Sequence, residues 1–321
     1  MSVGAPKIPV VVVDVTEINS LIKRFRFARR DGTAMPTFSG GAHVVVEMDD
    51  HGTRRMNPYS LSSTPGDTAA YEISVRRDDL GRGGSLYMHS HVKPGMEMVL
   101  SHPVNLFPLD QRGRKHLMIA GGIGITPFIA QMAQLQSIGG TFELHYSMRS
   151  PELGAYAPDL QAQYGSRIHL YYDESKQFID LKNLLKSQPL GTHLYVCGPK
   201  GMIAWVRDTA TQMGWPSRAV HSEEFLAPPV GKPFDVTLAA SQKIITVAAN
   251  QSLLEAIEAA GVDAPYLCRG GACGQCKTTV QHCDGQIEHN DHWLTDDQKS
   301  SNTKIMPCVS RFAGTRLILE R

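Results

Sequence analysis

The chain has no apolar run long enough to cross a membrane; its longest early one, Ile8–Val13, is strand-sized. That run has neither a basic leader nor a cleavage site, so it is not a secretory signal. Neither sign of charge is in excess: 32 Lys and Arg against 31 Asp and Glu leave +1, which offers nothing to nucleic acid or to an anionic surface. Cysteine is sparse, six in 321 residues, too few for a disulfide framework. These absences point to a cytoplasmic chain with no membrane or nucleic-acid partner. The remaining composition, 42% hydrophobic and 20% charged, is that of a globular protein, and the length implies two or three domains.

The few cysteines are unevenly placed. Four of them form Cys268-x4-Cys273-x2-Cys276 and, far along the chain, Cys308. Structural zinc prefers two separate knuckle pairs, whereas three cysteines on one loop with a distant fourth is the plant-type [2Fe–2S] spacing. Gly270, Gly271 and Gly274 would let the loop backbone turn its N–H groups towards the sulfides. Ordinary buried thiols would explain neither the spacing nor the glycines. The ligand set is Cys268, Cys273, Cys276 and Cys308, with Cys197 and Cys283 left over, and such a cluster fits a reducing compartment.

Three textures follow one another along the chain. Residues 1–111 show short β-branched runs between Gly, Pro and Asp turns, for example Val10–Val15, His43–Met48, Tyr71–Arg76 and Met96–Ser101, which predicts an antiparallel β-barrel. Residues 112–227 alternate strands with helices, at His116–Ala120, a helix through Gln136, Thr141–Ser147, His169–Tyr172 and His193–Val196. That pattern predicts an α/β parallel sheet. Residues 228–321 begin in the proline-rich linker Leu226–Pro233, then give a hairpin at Phe234–Ala239 and Lys243–Val247, a helix over Ser252–Ala260 and the cysteine loop. The whole is a multidomain chain.

Several turns carry chemistry. Gly81-Arg-Gly-Gly-Ser-Leu86 opens a short helical run, and free N–H groups at such a start suit an anion; a plain loop with Ser85 as N-cap is the alternative. His116-Leu-Met-Ile-Ala-Gly-Gly-Ile-Gly-Ile-Thr-Pro127 is a strand, glycines and a helix start, without the Rossmann G-x-G-x-x-G. Val196-Cys-Gly-Pro199 and His221-Ser-Glu-Glu-Phe225 follow at later strand ends, and three such turns suggest one ligand crevice. Asp173, after the strand His169–Tyr172, would accept from a ribose 2′-hydroxyl and repel a 2′-phosphate. It favours NADH over NADPH, with Arg149 the contrary indication.

Arg55-Met-Asn-Pro-Tyr-Ser-Leu61, the Gly81–Leu86 turn and the strand Ser74-Val-Arg-Arg77 resemble the flavin-binding barrel of ferredoxin–NADP reductase-like proteins. The resemblance implies that Tyr59, Ser60 and Leu61 border the flavin ring, that Arg82, Gly83, Gly84 and Ser85 meet its phosphate, and that Ser74, Val75 and Arg76 flank it. Asn57 stands where the family has arginine, so Arg55 or Arg77 would supply that charge. It also implies a nicotinamide pocket of Gly121, Gly122, Gly124, Thr126, Pro127, Gly198 and Pro199. Cys197 is then either beside the reacting carbons or a small buried core residue. Glu223 and Phe225 would shape the flavin–nicotinamide contact without acid–base work.

Taken in order, with Asn105-x-Phe-Pro-Leu109 and Cys308-Val-Ser-Arg311 as further likenesses, the chain resembles the phthalate dioxygenase reductase family, which places its ferredoxin last. The resemblance implies FMN rather than FAD, NADH, a β-grasp ferredoxin domain, and electron delivery to a terminal Rieske-type oxygenase. A flavin takes a hydride's electron pair and gives electrons singly, which explains three cofactors in one chain. A reductase for a diiron monooxygenase or a cytochrome P450 is the alternative. A cluster-sensing regulator would need a further domain, and no segment is free to be one.

Overall fold

The computed structural model describes residues 7–321. The first sheet contains β1 (Lys7–Asn19), β2 (Ile22–Arg29), β3 (Ala42–Asp50), β4 (Thr53–Ser60), β5 (Tyr71–Arg76), β6 (Glu97–Ser101) and β7 (Val104–Asn105), with α1 (Gly84–His91) between β5 and β6. Its strands run in the order β4-β3-β6-β1-β2-β5, all antiparallel, and the sheet curls until its ends meet at a Leu61–Ile73 bridge. Alternation decides what lies inside: Ile8, Val10 and Val12 of β1 and Phe25 and Phe27 of β2 are buried, while Lys7, Pro9 and Val11 are not. The Arg55–Leu61 motif is mostly β4 itself. Pro58 is tolerated there because β4 ends the strand order and one edge of its ladder is open.

The second sheet follows through β8 (Lys115–Gly121), α2 (Thr126–Ser137), β9 (Phe142–Met148), α3 (Ala157–Tyr164), β10 (Ile168–Tyr172), α4 (Leu181–Lys186), β11 (Thr192–Cys197), α5 (Lys200–Gln212) and β12 (Val220–Glu223). Its order, β10-β9-β8-β11-β12, is parallel throughout. Helices α2 and α3 cover one face through Phe128, Met132, Leu135 and Leu160; α4 and α5 cover the other through Leu181, Leu185, Ile203 and Val206. The chain reverses direction of winding between β8 and β11, and a crevice opens at that point on the carboxyl edge. Ile22 and Phe107 of the first unit belong to the same core as α2, and Gln131 donates to the Phe107 carbonyl at 2.7 Å, so the two units are joined by apolar packing.

The third unit has β13 (Phe234–Leu238), β14 (Lys243–Val247), α6 (Leu253–Ala259), β15 (Thr278–Cys283), β16 (Gln286–Glu288), α7 (Asp296–Ser300), β17 (Lys304–Ile305), β18 (Arg311–Ala313) and β19 (Leu317–Leu319). The sheet order β14-β13-β19-β15-β17, with β13 and β19 parallel, grasps α6, whose Leu253, Leu254 and Ile257 are fully buried. Helix α6 starts in a capping box between Ser252 and Glu255, read in the sequence as a helix from Ser252. Among the described residues no helix is long and apolar enough to cross a membrane.

Candidate functional site

All three units converge on one cavity of about 830 Å³. The first contributes Asn57, Tyr59, Ser60 and Arg82; the second Glu223 and Phe225; the third Cys268, Gly270 and Ala272. The flavin motif, the strand-end strap and the cysteine loop thus face a common space of ligand size.

The glycine-turn end of the cavity is built by close approach of α1 to β4. Gly83 has φ +101, and a Cβ there would lie 3.1 Å from the Arg55 guanidinium carbon. A Cβ on Gly84 would lie 2.4 Å from Asn57 Nδ2. Position 57 therefore abuts the helix start, and Arg55 reaches the same turn from one pleat away, held by Asp50 at 2.7 Å. Arg77 instead pairs with Asp79 on the exposed side, so of the two arginines it is Arg55 that lies against the glycine turn. The N-cap of α1 is Gly83, with no side-chain cap, and not Ser85, whose hydroxyl accepts from the Asp78 N–H at 3.0 Å. The first N–H groups of α1 are left for an anion.

Leu61 and Val75 are fully buried in the barrel, Ser74 hydrogen-bonds the Tyr156 hydroxyl at 2.6 Å, and Arg76 is exposed. Of the residues expected beside the flavin, Leu61, Ser74, Val75 and Arg76 are not among those that line the cavity. Tyr59 does face the cavity. Its hydroxyl is reached by Asn57 Nδ2 at 3.2 Å, and burial pushes its ionisation up to about 12. Two further cavity-lining groups have buried atoms without a hydrogen-bond partner, Nε2 of His43 and Oε2 of Glu223. Burial lowers His43 to about 4 and raises Glu223 to about 8, so at neutral pH both are uncharged beside the cavity. Orphaned donors and acceptors around a ligand-sized space fit a polar heterocycle such as the flavin ring. His43 carried no sequence signal beyond its place in a strand.

At the carboxyl edge of the second sheet the glycines divide by role. A Cβ on Gly124 would lie 2.3 Å from the Cys197 carbonyl oxygen, and one on Gly121 would lie 2.7 Å from Pro199. Gly198 lies within 3.1 Å of Gly121 by the same measure. These three let the turns after β8 and β11 interlock. Gly122, at φ +53 with open space around it, is the one that leaves backbone available to a dinucleotide. Pro127 starts α2, and Thr126 is buried with its hydroxyl donating to the Ile123 carbonyl at 3.0 Å. Cys197 is buried, and burial with the adjacent Glu223 carboxyl pushes its thiol well up; it is a core thiol and not a nucleophile. Asp173 is exposed in a 3₁₀ turn beyond β10 at the edge of the sheet.

In the third unit the four cysteines converge. Cys276 and Cys308 sulfurs stand 3.3 Å apart, and the Gly270 N–H donates to Cys268 Sγ at 3.4 Å. The Cys268 thiol is held down to about 5, first by the Cys273 S–H and then by the N–H groups of Gly270, Ala272 and Cys273. Four sulfurs ringed by inward N–H donors are the donor set a [2Fe–2S] cluster requires. Gly271 and Gly274 have positive φ, as expected, and a Cβ on Gly274 would strike the Trp293 ring at 2.2 Å. Gly270 differs from expectation: its φ is not positive, and the strained residue is Arg269 at φ +51. Arg269 is held by Glu258 and lies 3.8 Å above the Tyr266 ring, which no spacing rule foretold. Cys283 lies away from this ring, with its thiol donating to the Gly285 carbonyl at 3.2 Å.

Two other His–carboxylate clusters, Asp110 with His193 and His221, and Glu143 with His145 and His169, contribute no residue to the cavity lining. Their carboxylates are already paired with Arg112 and Lys115, each at 2.5 Å, so they serve as polar ladders of the second unit.

An antiparallel barrel, a parallel sheet and a β-grasp unit meeting at one cavity define a flavin and iron–sulfur electron-transfer reductase. Residues 98–220 match the N-terminal domain of the dimethylamine monooxygenase subunit DmmA-like family, and residues 236–313 match the 2Fe-2S iron-sulfur cluster binding domain. The chain is 43% identical to the carnitine monooxygenase reductase subunit of Acinetobacter baumannii, covering 97% of each, and 44% identical to the heme-dependent oxidative N-demethylase beta subunit of Ectopseudomonas mendocina, covering 96% and 97%. The solved structure of phthalate dioxygenase reductase, described as a modular structure for electron transfer from pyridine nucleotides to [2Fe-2S], superposes with a TM-score of 0.88 at 34% identity over 98% of each chain. The chain belongs to the phthalate dioxygenase reductase family and is an NADH-dependent flavin iron–sulfur oxidoreductase, with FMN, NADH and a [2Fe–2S] cluster as its cofactors. Relatives of the family are named as reductase subunits of a carnitine monooxygenase and of a phthalate 4,5-dioxygenase.

Proposed function

We propose that this chain is the reductase component of a two-component Rieske-type oxygenase, working in the cytoplasm. The observation that carries the reading is the shared cavity, in which flavin-side residues, the Glu223–Phe225 strap and the Cys268–Ala272 loop line one space. FMN bound there would exchange a two-electron hydride for single electrons. The chain's part is to hold, orient and shield. Arg55, Arg82 and the uncapped start of α1 take the phosphate; Tyr59, Ser60, His43 and Glu223 border the ring. The turns at Gly121–Pro127 and Cys197–Pro199 seat the nicotinamide with Phe225, and Asp173 selects NADH. Cys268, Cys273, Cys276 and Cys308 hold the cluster. The boundaries 1–111, 112–227 and 228–321 are proposed as the functional domains.

Trp293, half exposed, covers Gly274 in the cluster loop and marks where a partner would approach. The relatives named for carnitine and for N-demethylation support an N-alkylated amine as the substrate of that partner. The heme-dependent name of one of them favours, as a second reading, a haem oxygenase such as a cytochrome P450 as electron acceptor. Reconstitution with each class of oxygenase, following substrate-dependent NADH consumption, tests the choice. Turnover with a haem protein and none with a Rieske oxygenase would reverse it. If NADH bleached neither flavin nor cluster absorbance, the reductase reading itself would fail.

A further inference from the structure

The third unit is tied to the others by the proline-rich stretch 226–233, which sets reach but not orientation. Its orientation rests on side chains at both ends of the cavity. Arg82 Nη1 lies 2.6 Å from Glu255 Oε2, with the two side chains only 13% and 9% exposed. Arg82 comes from the glycine turn of the first unit and Glu255 from the first turn of α6. The same Glu255 oxygen accepts the Ser252 N–H at 2.8 Å, so the carboxylate is fixed by its own helix before it meets Arg82. Across the cavity, His292 Nε2 lies 2.9 Å from Glu224 Oε2, and the His292 N–H donates to the Gly271 carbonyl within the cysteine loop at 3.2 Å. Between these two contacts, the position of a Gly270 Cβ would be 3.9 Å from Pro58 of β4, where the cysteine loop comes closest to the flavin side.

We propose that Glu255 is a positioning residue for the intramolecular electron step: by gripping Arg82 it docks the cysteine loop against the flavin cavity, with Glu224–His292 as the second point of a clamp. A guanidinium has two donor edges, so Arg82 can give one to Glu255 and keep another for an anion in the cavity. Flavin occupancy and docking of the third unit are thereby coupled, and the coupling acts in both directions. The inference rests on the reductase reading.

The test is Glu255→Gln in the full-length holoprotein. Glutamine at this position preserves the capping box, so α6 stays formed while the negative charge that faces Arg82 is lost. With free flavin in excess, anaerobic rapid mixing with NADH should show flavin bleaching within about twofold of the parent and cluster bleaching about tenfold slower, a change of ~1.4 kcal/mol in the docking equilibrium. Adding His292→Gln should slow the cluster phase further. Protease cleavage within 226–233 should be faster in both variants, and protection of that stretch by added FMN should be weaker. Cluster bleaching that keeps pace with the parent in the double variant would overturn the clamp. Absence of bleaching in the parent would instead overturn the reductase reading.

Discussion

Cys197 and Glu223 are register partners across the parallel ladder of β11 and β12, at the edge where the two strands deliver their turns to the cavity. Burial is the first cause of the upward shift in both, and the Glu223 carboxylate adds to that of Cys197. The carboxyl, which would be charged in water, is therefore neutral at this edge of the cavity, and the thiol is held further from ionisation than a free one. A neutral carboxyl and a neutral thiol neither repel the electron-rich nicotinamide nor invite water.

The raised carboxyl has a stability consequence. Glu223 shifts from 4.5 to about 8 on folding. Between those values the folded state holds a proton that the unfolded state releases, so the contribution is fully present below pH 4.5 and is lost as pH rises through about 8. Glu223→Gln removes this dependence. Thermal melts should show the variant gaining on the parent from pH 6 to 9, by on the order of 2 kcal/mol at the alkaline end.

Cluster content should sort the six cysteines. Cys268→Ser, Cys273→Ser, Cys276→Ser and Cys308→Ser are each expected to lose iron and sulfide while keeping flavin and NADH-driven flavin bleaching. Cys283→Ser should retain full iron, since its thiol points to the Gly285 carbonyl. Iron retained in Cys308→Ser and lost in Cys283→Ser would refute the ligand set.

Two glycines two residues apart should behave differently. Gly124→Ala places a methyl 2.3 Å from the Cys197 carbonyl oxygen, a clash with main chain that cannot rotate away, and should cost about 1–3 kcal/mol in urea unfolding. Gly122→Ala meets only the penalty of positive φ, about 1–2 kcal/mol, but should raise the KM for NADH more than Gly124→Ala does, because its open face is the one left to the ligand.

Arg269 should prove structural for the cysteine loop. Its side chain is 3% exposed and pairs with Glu258. Arg269→Met leaves that partly buried carboxylate without its partner, at a cost of about 1–3 kcal/mol, and should lower both melting temperature and iron content. Adding Glu258→Gln should recover part of the loss, because the uncompensated charge is gone.

Much of this protein was legible in its sequence, because the signals were local. Strand alternation, the change to strand–helix texture near residue 112, the helix from Ser252 and the spacing of Cys268, Cys273, Cys276 and Cys308 all depend on neighbours in the chain. Each is set by backbone geometry, which repeats with a known period. What only the tertiary structure decided is which distant groups meet. That Arg55 rather than Arg77 lies against the glycine turn depended on the pleat of β4 and the close approach of α1 to it. The division of Gly121, Gly124 and Gly198 from Gly122 turned on the interlocking of two separate turns. Glu255 on Arg82 and Glu224 on His292 join residues far apart in the chain, and no periodicity encodes such a meeting. The loss of charge on His43 and Glu223 has the same origin: a pKa responds to the solvent a fold removes, and the sequence does not record where that solvent was.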